Sequence, residues 1–496
     1  MTAENPPEDD DAHRLVMRGA FATGAGFLVK MGARVGFLLI AGRLFGPALF
    51  GAYSLGVAVV ESGVGLAGLS LKKVIFQLLD ANEAGEPDDS RRSPTHIVAD
   101  AVVLVLTASG ALALAIMAVV ATVMGGLPVS GAAAAIFWLA PMIAGQTLVD
   151  VLLAASRWRH AIRYEVIGRS IVEPYTQLAV AVAGWMAGVP AWALIAGYWA
   201  GNVAVNAFAL MGIQRSFGGF GLAGYRPDRR RLTQLARTLA PNTATDLLNG
   251  IYARFDLYLV GALLGTRAAG IYTMAQQICT PIRQVRQSFD GLLVPLVART
   301  VAMRGSAAAG AALASAVRLV LAIQLPVLLA LLAIGQPLLE AFGPGFGIAA
   351  TALVLLAAAE VVHAAFGTGD LMFVYLNPRI GLVQTVAGIV TGVVAAVLLL
   401  PVLGFTGAAV AVLAGYLARA AMRAWTLRRR FGVTVPLAHP AGPLVAAGLG
   451  AGAVLLVRPF GDVAAMAAGL ATYAVVMALW LRATGASLRL SGFEAA

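Results

Sequence analysis

The sequence predicts an all-α polytopic membrane protein with about 14 transmembrane helices, and its composition carries that prediction. The 496 residues are 60% hydrophobic and only 12% charged, whereas a soluble domain has about 25% charged residues. The 56 glycines favour close helix packing in a bilayer, where small residues line the contacts between helices. The single cysteine, Cys279, excludes an internal disulfide framework.

Hydropathy along the chain predicts the helices in order, because a span needs about 20 predominantly apolar residues. The first follows the acidic tail MTAENPPEDDDAHR and is predicted as a true span rather than a cleavable signal. Pro281, Arg283 and Arg286 interrupt the eighth. The predicted spans are 19–42, 47–69, 97–123, 132–155, 167–187, 191–213, 240–262, 268–290, 309–335, 348–374, 382–401, 405–424, 440–457 and 462–482.

The loops predict that both termini are cytoplasmic, because Lys and Arg accumulate in cytoplasmic loops. Loops on one side contain Lys72, Lys73 and the runs SRWRHAIRYEVIGRS and WTLRRRFG, whereas the opposite loops contain only Arg43, Arg267 and Arg458. This asymmetry explains the net charge of +11 without a nucleic-acid partner. Contact with lipid head groups is the other explanation of the basic runs.

An internal repeat predicts two lobes of equal orientation. GRLFGPALFGAY (42–53) and GALLGTRAAGIY (261–272) match at five of twelve positions, 219 residues apart. The offset covers six helices, an even number, and transporters with parallel repeats place their sites between them. The predicted domains are an N-lobe of helices 1–6 (1–213), a basic cytoplasmic linker (214–239), a C-lobe of helices 7–12 (240–424) and an appended helix pair (425–496).

Two cations on helix 1 are the first candidate site, because charge inside a bilayer is costly. Lys30 and Arg34 are four residues apart and therefore share a helix face. They predict either a polar cavity that binds an anion or a structural ion-pair cluster with Glu61. Two like charges on one face repel unless something anionic lies opposite, which favours the anion site.

Further charged residues inside the predicted spans leave two explanations open. Arg254 and Asp256 predict either a structural pairing with neighbours or a functional role. Glu360 and His363 share a face three residues apart, and they predict either a proton-coupling site or a satisfied interior pair. Glu173 precedes Pro174, which predicts a kink in helix 5. The full set is Glu61, Glu173, Asp246, Arg254, Asp256, Glu360, His363 and Asp370.

Signals for enzymatic chemistry are poor. The sequence has no P-loop with its lysine, no HExxH and no paired CxxC, and its five histidines lack metal-ligand spacing. We therefore expect no enzyme, cofactor or metal site. A membrane-embedded glycosyltransferase or polymerase stays open as an alternative, because Asp and Glu lie near the membrane faces. Such an enzyme usually has a larger polar catalytic loop than this chain contains.

Two stretches resemble a known family. AGRLFGPALFGAYSLGVAVVESG (41–63) and ARFDLYLVGALLGTRAAGIYTMAQQI (253–278) resemble the polysaccharide biosynthesis proteins, the Wzx-type flippases of the multidrug/oligosaccharidyl-lipid/polysaccharide exporter superfamily. The resemblance implies two six-helix bundles around a central cationic cavity, and no catalytic motif. It implies transport of an undecaprenyl-diphosphate-linked glycan (an O-antigen, capsule or exopolysaccharide repeat unit) from the inner to the outer leaflet of the bacterial inner membrane.

The resemblance also implies partners and competing cargoes. Lys30, Arg34 and Arg254 are the charges that match a cationic cavity, and a polysaccharide polymerase and glycosyltransferases are the expected partner proteins. The fourteen helices also resemble the related lipid II flippases, although their fuller set of cavity arginines is not evident here. An ion-coupled multidrug/cation antiporter of the same superfamily is the alternative. Its cavity would need net negative charge, whereas helix 1 supplies two cations.

Overall fold

The computed structural model describes residues 31–84, 93–219, 224–367, 378–431 and 438–485. In this part of the chain all regular structure is helical, so the all-α prediction is confirmed. The chain divides into two compact units, Met1–Ile251 (unit 1) and Tyr252–Ala496 (unit 2). The four predicted domain ranges stay a prediction.

Unit 1 contains helices α1 to α10. Leu71–Ala84, in the predicted connection between spans 2 and 3, forms a helix; it has an apolar side that packs into the core and a polar side that carries lysines. π-Helical turns at Ala41–Phe45 and Gly168–Val172 connect α1 to α2 and α7 to α8. The helices are 31–40 (α1), Gly46–Ala67 (α2), Leu71–Ala84 (α3), Pro94–Met124 (α4), Gly131–Leu139 (α5), Met142–Trp158 (α6), Arg163–Ile167 (α7), Glu173–Met186 (α8), Pro190–Ser216 (α9) and Arg229–Tyr252 (α10).

Unit 2 contains helices α11 to α16. The appended pair α15 and α16 packs against α11, where Ala333, Val454 and Ala465 form a small buried cluster. A Cβ atom on Gly450 of α15 would lie 2.8 Å from a terminal methyl group of Leu329 and 3.0 Å from the Gly469 carbonyl oxygen, so a side chain there would require its neighbours to shift. The helices are Phe255–Phe342 (α11), Ala350–Gly367 (α12), Pro378–Leu403 (α13), Phe405–Phe431 (α14), Ala438–Val457 (α15) and Asp462–Thr484 (α16).

The number of membrane spans is nine among the described residues, or eleven if each of two bent helix pairs is one span. A multi-pass membrane protein is thereby confirmed, whereas the count of 14 stays a prediction. Predicted span 2 and residues 31–42 of predicted span 1 lie within one stretch, Met31–Glu83, while the rest of span 1 lies outside the described residues; spans 7 and 8 overlap one bent pair. Predicted span 5 lies in a stretch that is helical over 163–186 and contains the π-helical turn Gly168–Val172.

The sequence repeat is also a repeat of the backbone. Gly46 and Gly265 occupy equivalent positions in the two matching stretches, and both have positive φ, 70° and 84°. Glycine adopts this conformation without the steric cost that a side chain would add. Seven residues later each stretch buries a tyrosine, Tyr53 and Tyr272. A short turn inside otherwise helical chain therefore recurs in both units.

The core of unit 1 positions α10 and the residues of the site. Buried side chains of α3, α4, α6 and α9 form one cluster, which includes Leu71, Val105 and Leu152. Leu239 of α10 is buried in the same cluster, and Leu235 packs against it. Because α10 is held on this core, its next residues lie beside the start of α3.

Candidate functional site

The cations predicted for an anion site are distributed over both units. Lys30 lies outside the described residues, as does Asp370. Arg34 is half-buried on α1 in unit 1, and Arg254 is half-buried at the break between α10 and α11 in unit 2. Their joint action on one ligand stays a prediction. The structure instead assembles a polar cluster inside each unit.

Arg169 is the centre of the polar cluster in unit 1. Its guanidinium lies 2.5 Å from Asp150 and 2.9 Å from Glu173, and it donates to the side-chain oxygen of Gln146 at 2.8 Å. Gln146 in turn donates to the other oxygen of Glu173 at 2.9 Å. All three charged side chains are at most 22% exposed. Glu173 is thus an ion-pair partner of Arg169.

Proline explains how the chain brings these groups together. Pro174 has no N–H to give to the preceding turn, so a regular helix cannot continue through it. The backbone forms the π-helical turn Gly168–Val172 immediately before, and α8 begins at Glu173. π-Turns often occur at functional sites. Arg169 thus lies in the π-helical turn and Glu173 at the start of α8, four residues apart.

A cavity of about 300 Å³ opens beside this cluster. Its volume is at the lower end of the range for ligand sites, roughly 300–1,000 Å³. The charged side chains that line it come from four helices, α2, α3, α6 and α10. They are Glu61, Lys72, Lys73, Asp150 and Asp246.

Ion pairs connect the charged groups of this cavity. Lys73 Nζ lies 2.6 Å from Asp246 Oδ1, and Lys72 Nζ lies 3.3 Å from Asp150 Oδ1. Ser70 donates its hydroxyl to Asp246 Oδ2 at 2.7 Å. Both oxygens of Asp246 are therefore bound by the start of α3.

The turn before α3 has an unusual backbone. Leu69 and Ser70 have φ values of 50° and 55°, which residues with side chains adopt at a cost of about 1–3 kcal/mol each. Such strain persists only where the surroundings hold it. Ser70 is 7% exposed, and its bond to Asp246 is one such restraint. The strained turn aims Lys72 and Lys73 at the cavity.

Asp256 is the centre of the polar cluster in unit 2. It is 3% exposed, and it accepts hydrogen bonds from Tyr272 at 2.6 Å, from Gln276 at 2.7 Å and from the Leu257 amide at 2.8 Å. All three of these donors belong to α11 itself. The sequence connects Asp256 with Arg254 only because the two are neighbours in the chain.

Glu360 of α12 forms the second half of this cluster. Its Oε1 accepts two hydrogen bonds from Arg283, at the Nε and at one terminal nitrogen. Its Oε2 and Gln276 Oε1 are buried, and neither has a hydrogen-bond partner among the described residues. Both residues line an enclosed cavity of about 20 Å³, which has room for one water molecule or one small ion.

His363 lies one turn beyond Glu360 and stacks on Tyr416, with the ring centres 4.4 Å apart and an interplanar angle of 14°. Tyr416 lines the same small cavity. The predicted coupling role of Glu360 and His363 stays a prediction. Within the described residues, no group of three or more His, Cys, Asp or Glu side chains is arranged to hold a metal ion.

Sequence reasoning missed four cations that the structure places in the clusters: Lys72, Lys73, Arg169 and Arg283. The first three belong to runs that predict topology. One available signal is the spacing of Arg169 and Glu173, since residues four apart share a helix face. Lys73 and Asp246 are 173 residues apart, and no spacing rule connects them.

Sequence comparison assigns the family. Residues 16–301 match the family model described as polysaccharide biosynthesis protein, which is more than half of the 496 residues. The chain belongs to the polysaccharide biosynthesis protein family. The resemblance seen in the two short stretches is confirmed. The matched range contains Arg34, Arg254 and all the residues that line the larger cavity of unit 1. It contains only part of the lining of the small cavity in unit 2, because Glu360 and Tyr416 lie beyond residue 301.

Solved structures share the fold. The lipid II flippase MurJ in an inward closed conformation superposes with a TM-score of 0.73 at 12% identity, covering 94% of this chain and 100% of that one. An inward-facing multidrug resistance MATE family transporter of the MOP superfamily gives 0.63 at 13%, covering 82% and 98%. A variant of the Vibrio cholerae MATE transporter VcmN gives 0.52 at 14%, covering 84% and 97%.

These likenesses establish the fold, and no curated protein sequence matches the chain. Together, the family match and the shared fold identify a polysaccharide biosynthesis protein with the fold of the MurJ and MATE structures. The chain is therefore a multi-pass membrane protein with a transporter fold.

Proposed function

We propose that this polysaccharide biosynthesis protein is a flippase for a polyprenyl-diphosphate-linked oligosaccharide. It would carry an O-antigen, capsule or exopolysaccharide repeat unit from the inner to the outer leaflet of the bacterial inner membrane. The observation that carries the proposal is the combination, in one chain, of a polysaccharide family match with the fold of a lipid flippase.

The physical task is to move a doubly charged head group through hydrocarbon. Lys30, Arg34 and Arg254 would replace water and counterions around the diphosphate, since charge-assisted hydrogen bonds are stronger than neutral ones. The lipid tail stays in the bilayer, and no covalent bond forms or breaks. The cavity would open alternately to the two sides of the membrane.

The proposed orientation has both termini in the cytoplasm. The basic runs support it, because Lys and Arg favour the cytoplasmic side. Reporter fusions after Arg237 and after Ala496 should both give a cytoplasmic signal. A periplasmic signal at either position would contradict the proposed orientation.

An ion-coupled multidrug/cation antiporter is the second candidate. The small cavity of unit 2 favours it, because Asp256, Gln276 and Glu360 offer oxygen atoms to a small cation. A flippase driven by an ion gradient would use the same atoms, so this cavity alone does not separate the two. The transported substrate does.

Arginine variants test the flippase in cells that depend on this chain for surface glycan. Arg34→Ala and Arg254→Ala should lower surface glycan roughly tenfold or more, because each removes a charge-assisted contact of the substrate. Arg34→Lys should retain more activity, since it keeps the charge. Arg43→Ala removes an exposed arginine and is the matched control. Immunoblots of membranes establish that each variant accumulates.

Three results would overturn the proposal. The first is normal surface glycan in the Lys30→Ala, Arg34→Ala double variant. The second is transport of cationic drugs, and not of lipid diphosphate, by the purified protein in liposomes; this would favour the antiporter. The third is transfer of sugar by the purified protein, which would favour a glycosyltransferase.

A further inference from the structure

The start of α3 holds two lysines in contact with carboxylates across the larger cavity. Lys73 Nζ lies 2.6 Å from Asp246 Oδ1, yet the Lys73 side chain is 69% exposed. Exposed ion pairs contribute little to stability. The ammonium therefore faces the cavity and remains within reach of another anion.

Lys72 is in a similar position. Its Nζ lies 3.3 Å from the Asp150 oxygen that Arg169 already binds at 2.5 Å. Arg169 is thus the nearer partner of that oxygen, and Lys72 holds it less closely. The Lys72 side chain is 52% exposed. Loss of Lys72 from this contact would leave Asp150 with a cation.

We propose that Lys72 and Lys73 are a docking site for the diphosphate of the lipid-linked substrate, and that Asp150 and Asp246 occupy the two ammonium groups until the diphosphate displaces them. The inference rests on the proposed function, which supplies the ligand. A diphosphate offers more charge and more acceptor oxygens than one carboxylate, so it competes for the same donors. The cavity of about 300 Å³ has room for the head group but not for an oligosaccharide.

Displacement of Asp246 has a structural consequence. The hydrogen bonds that Ser70 and Lys73 make to α10 both end on that one carboxylate. Once a diphosphate takes Lys73, the strained turn at Leu69 and Ser70 loses a restraint. Binding of the head group is thereby coupled to the loss of one of the two described hydrogen bonds between Asp246 and the start of α3.

The test measures binding of undecaprenyl diphosphate to the purified full-length protein in detergent, with undecaprenol as the uncharged lipid control. The Lys72→Gln, Lys73→Gln double variant should bind about tenfold more weakly, as expected for lost charge-assisted hydrogen bonds. Asp246→Asn should bind severalfold more tightly, because it removes the competing carboxylate. Glu83→Gln makes the same charge change as Asp246→Asn, on α3 and away from the cavity. It is the matched control for that variant and should bind like the original protein.

The opposite signs separate an exchange site from a structural ion pair. Lys73→Gln and Asp246→Asn break the same pair, so their melting temperatures without ligand should change little and by similar amounts while their affinities diverge. Equal affinities, or a loss in both, would overturn the inference. If Asp246→Asn does not accumulate, Ser70→Ala weakens the hold on Asp246 with all charges kept, and it should also tighten binding. Failure of the original protein to prefer undecaprenyl diphosphate over undecaprenol would refute the proposed function instead.

Discussion

Units 1 and 2 each have a tyrosine seven residues after the glycine of the shared turn. The hydroxyl groups of these two tyrosines have different hydrogen-bond partners. In unit 1 the Tyr53 hydroxyl accepts a hydrogen bond from the neutral amide of Gln177 at 2.5 Å. In unit 2 the Tyr272 hydroxyl donates to the carboxylate of Asp256 at 2.6 Å. The repeat therefore retains the turn and the buried ring, while each unit has its own polar partner.

The cavities of the two units also differ, both in size and in the side chains that line them. Unit 1 has an open cavity of about 300 Å³ that contains two exposed lysines. Unit 2 has an enclosed cavity of about 20 Å³ lined by Asp256 and Glu360. The first places two lysines beside the carboxylates of Glu61, Asp150 and Asp246, and the second places Arg283 beside Asp256 and Glu360. A duplicated scaffold therefore carries two different polar clusters.

Removal of Arg169 should have the largest effect on stability. Arg169→Ala leaves Asp150 and Glu173 without their shared cation, and breaking a buried ion pair from one side costs about 3–5 kcal/mol. Arg283→Ala in unit 2 leaves only Glu360, so its loss should be smaller. Melting temperatures of the purified variants measure both. The Arg169→Ala, Glu173→Gln double variant should regain part of the loss, and an equal loss in the two units would break the comparison.

Arg169 also shows where sequence reasoning stops. The fold class and the repeat follow from hydropathy and glycine spacing, because those patterns are local in the chain. Arg169 belongs to a basic run that predicts orientation equally well whether or not its side chain is paired. The π-helical turn that directs it toward Asp150 depends on Pro174, which can be recognised in the sequence. The sequence does not reveal that the partner of Arg169 is on α6.

Contacts between distant segments are the remaining gap. The spacing of Glu360 and His363 predicts a pair because the two share a helix face, whereas the described ion pair of Glu360 is with Arg283, 77 residues away. In the sequence, Arg283 is only an interruption of an apolar stretch. A hydropathy pattern predicts how deep in the membrane a charged residue lies. It does not predict which helix the charged side chain faces.

Substitution of Glu360 tests the small cavity of unit 2 and should have an intermediate effect. Glu360→Gln should lower gradient-driven transport roughly tenfold, equivalent to about 1.4 kcal/mol, because the buried Oε2 loses its charge toward the cavity. Proteoliposomes with an imposed sodium or proton gradient measure this rate. The Arg283→Met, Glu360→Gln double variant removes both charges and is the control. If the double variant recovered transport, Glu360 would act only as a structural partner of Arg283.

The smallest expected effect on stability concerns the shared turn. Gly46→Ala and Gly265→Ala place a side chain at positive φ, where the cost is about 1–2 kcal/mol. Among the described residues outside each glycine's own stretch of chain, no atom lies within 4 Å of the position that a Cβ would take, so the cost comes from the backbone alone and should be similar in the two units. Gly36→Ala also meets open space but has no positive φ, and it should be neutral or slightly stabilising because alanine favours helix. Thermal unfolding in detergent measures all three. A large loss of thermal stability in one unit with none in the other would show that the two turns are not equivalent. The repeat would then be a likeness of sequence without a likeness in how much each turn contributes to stability.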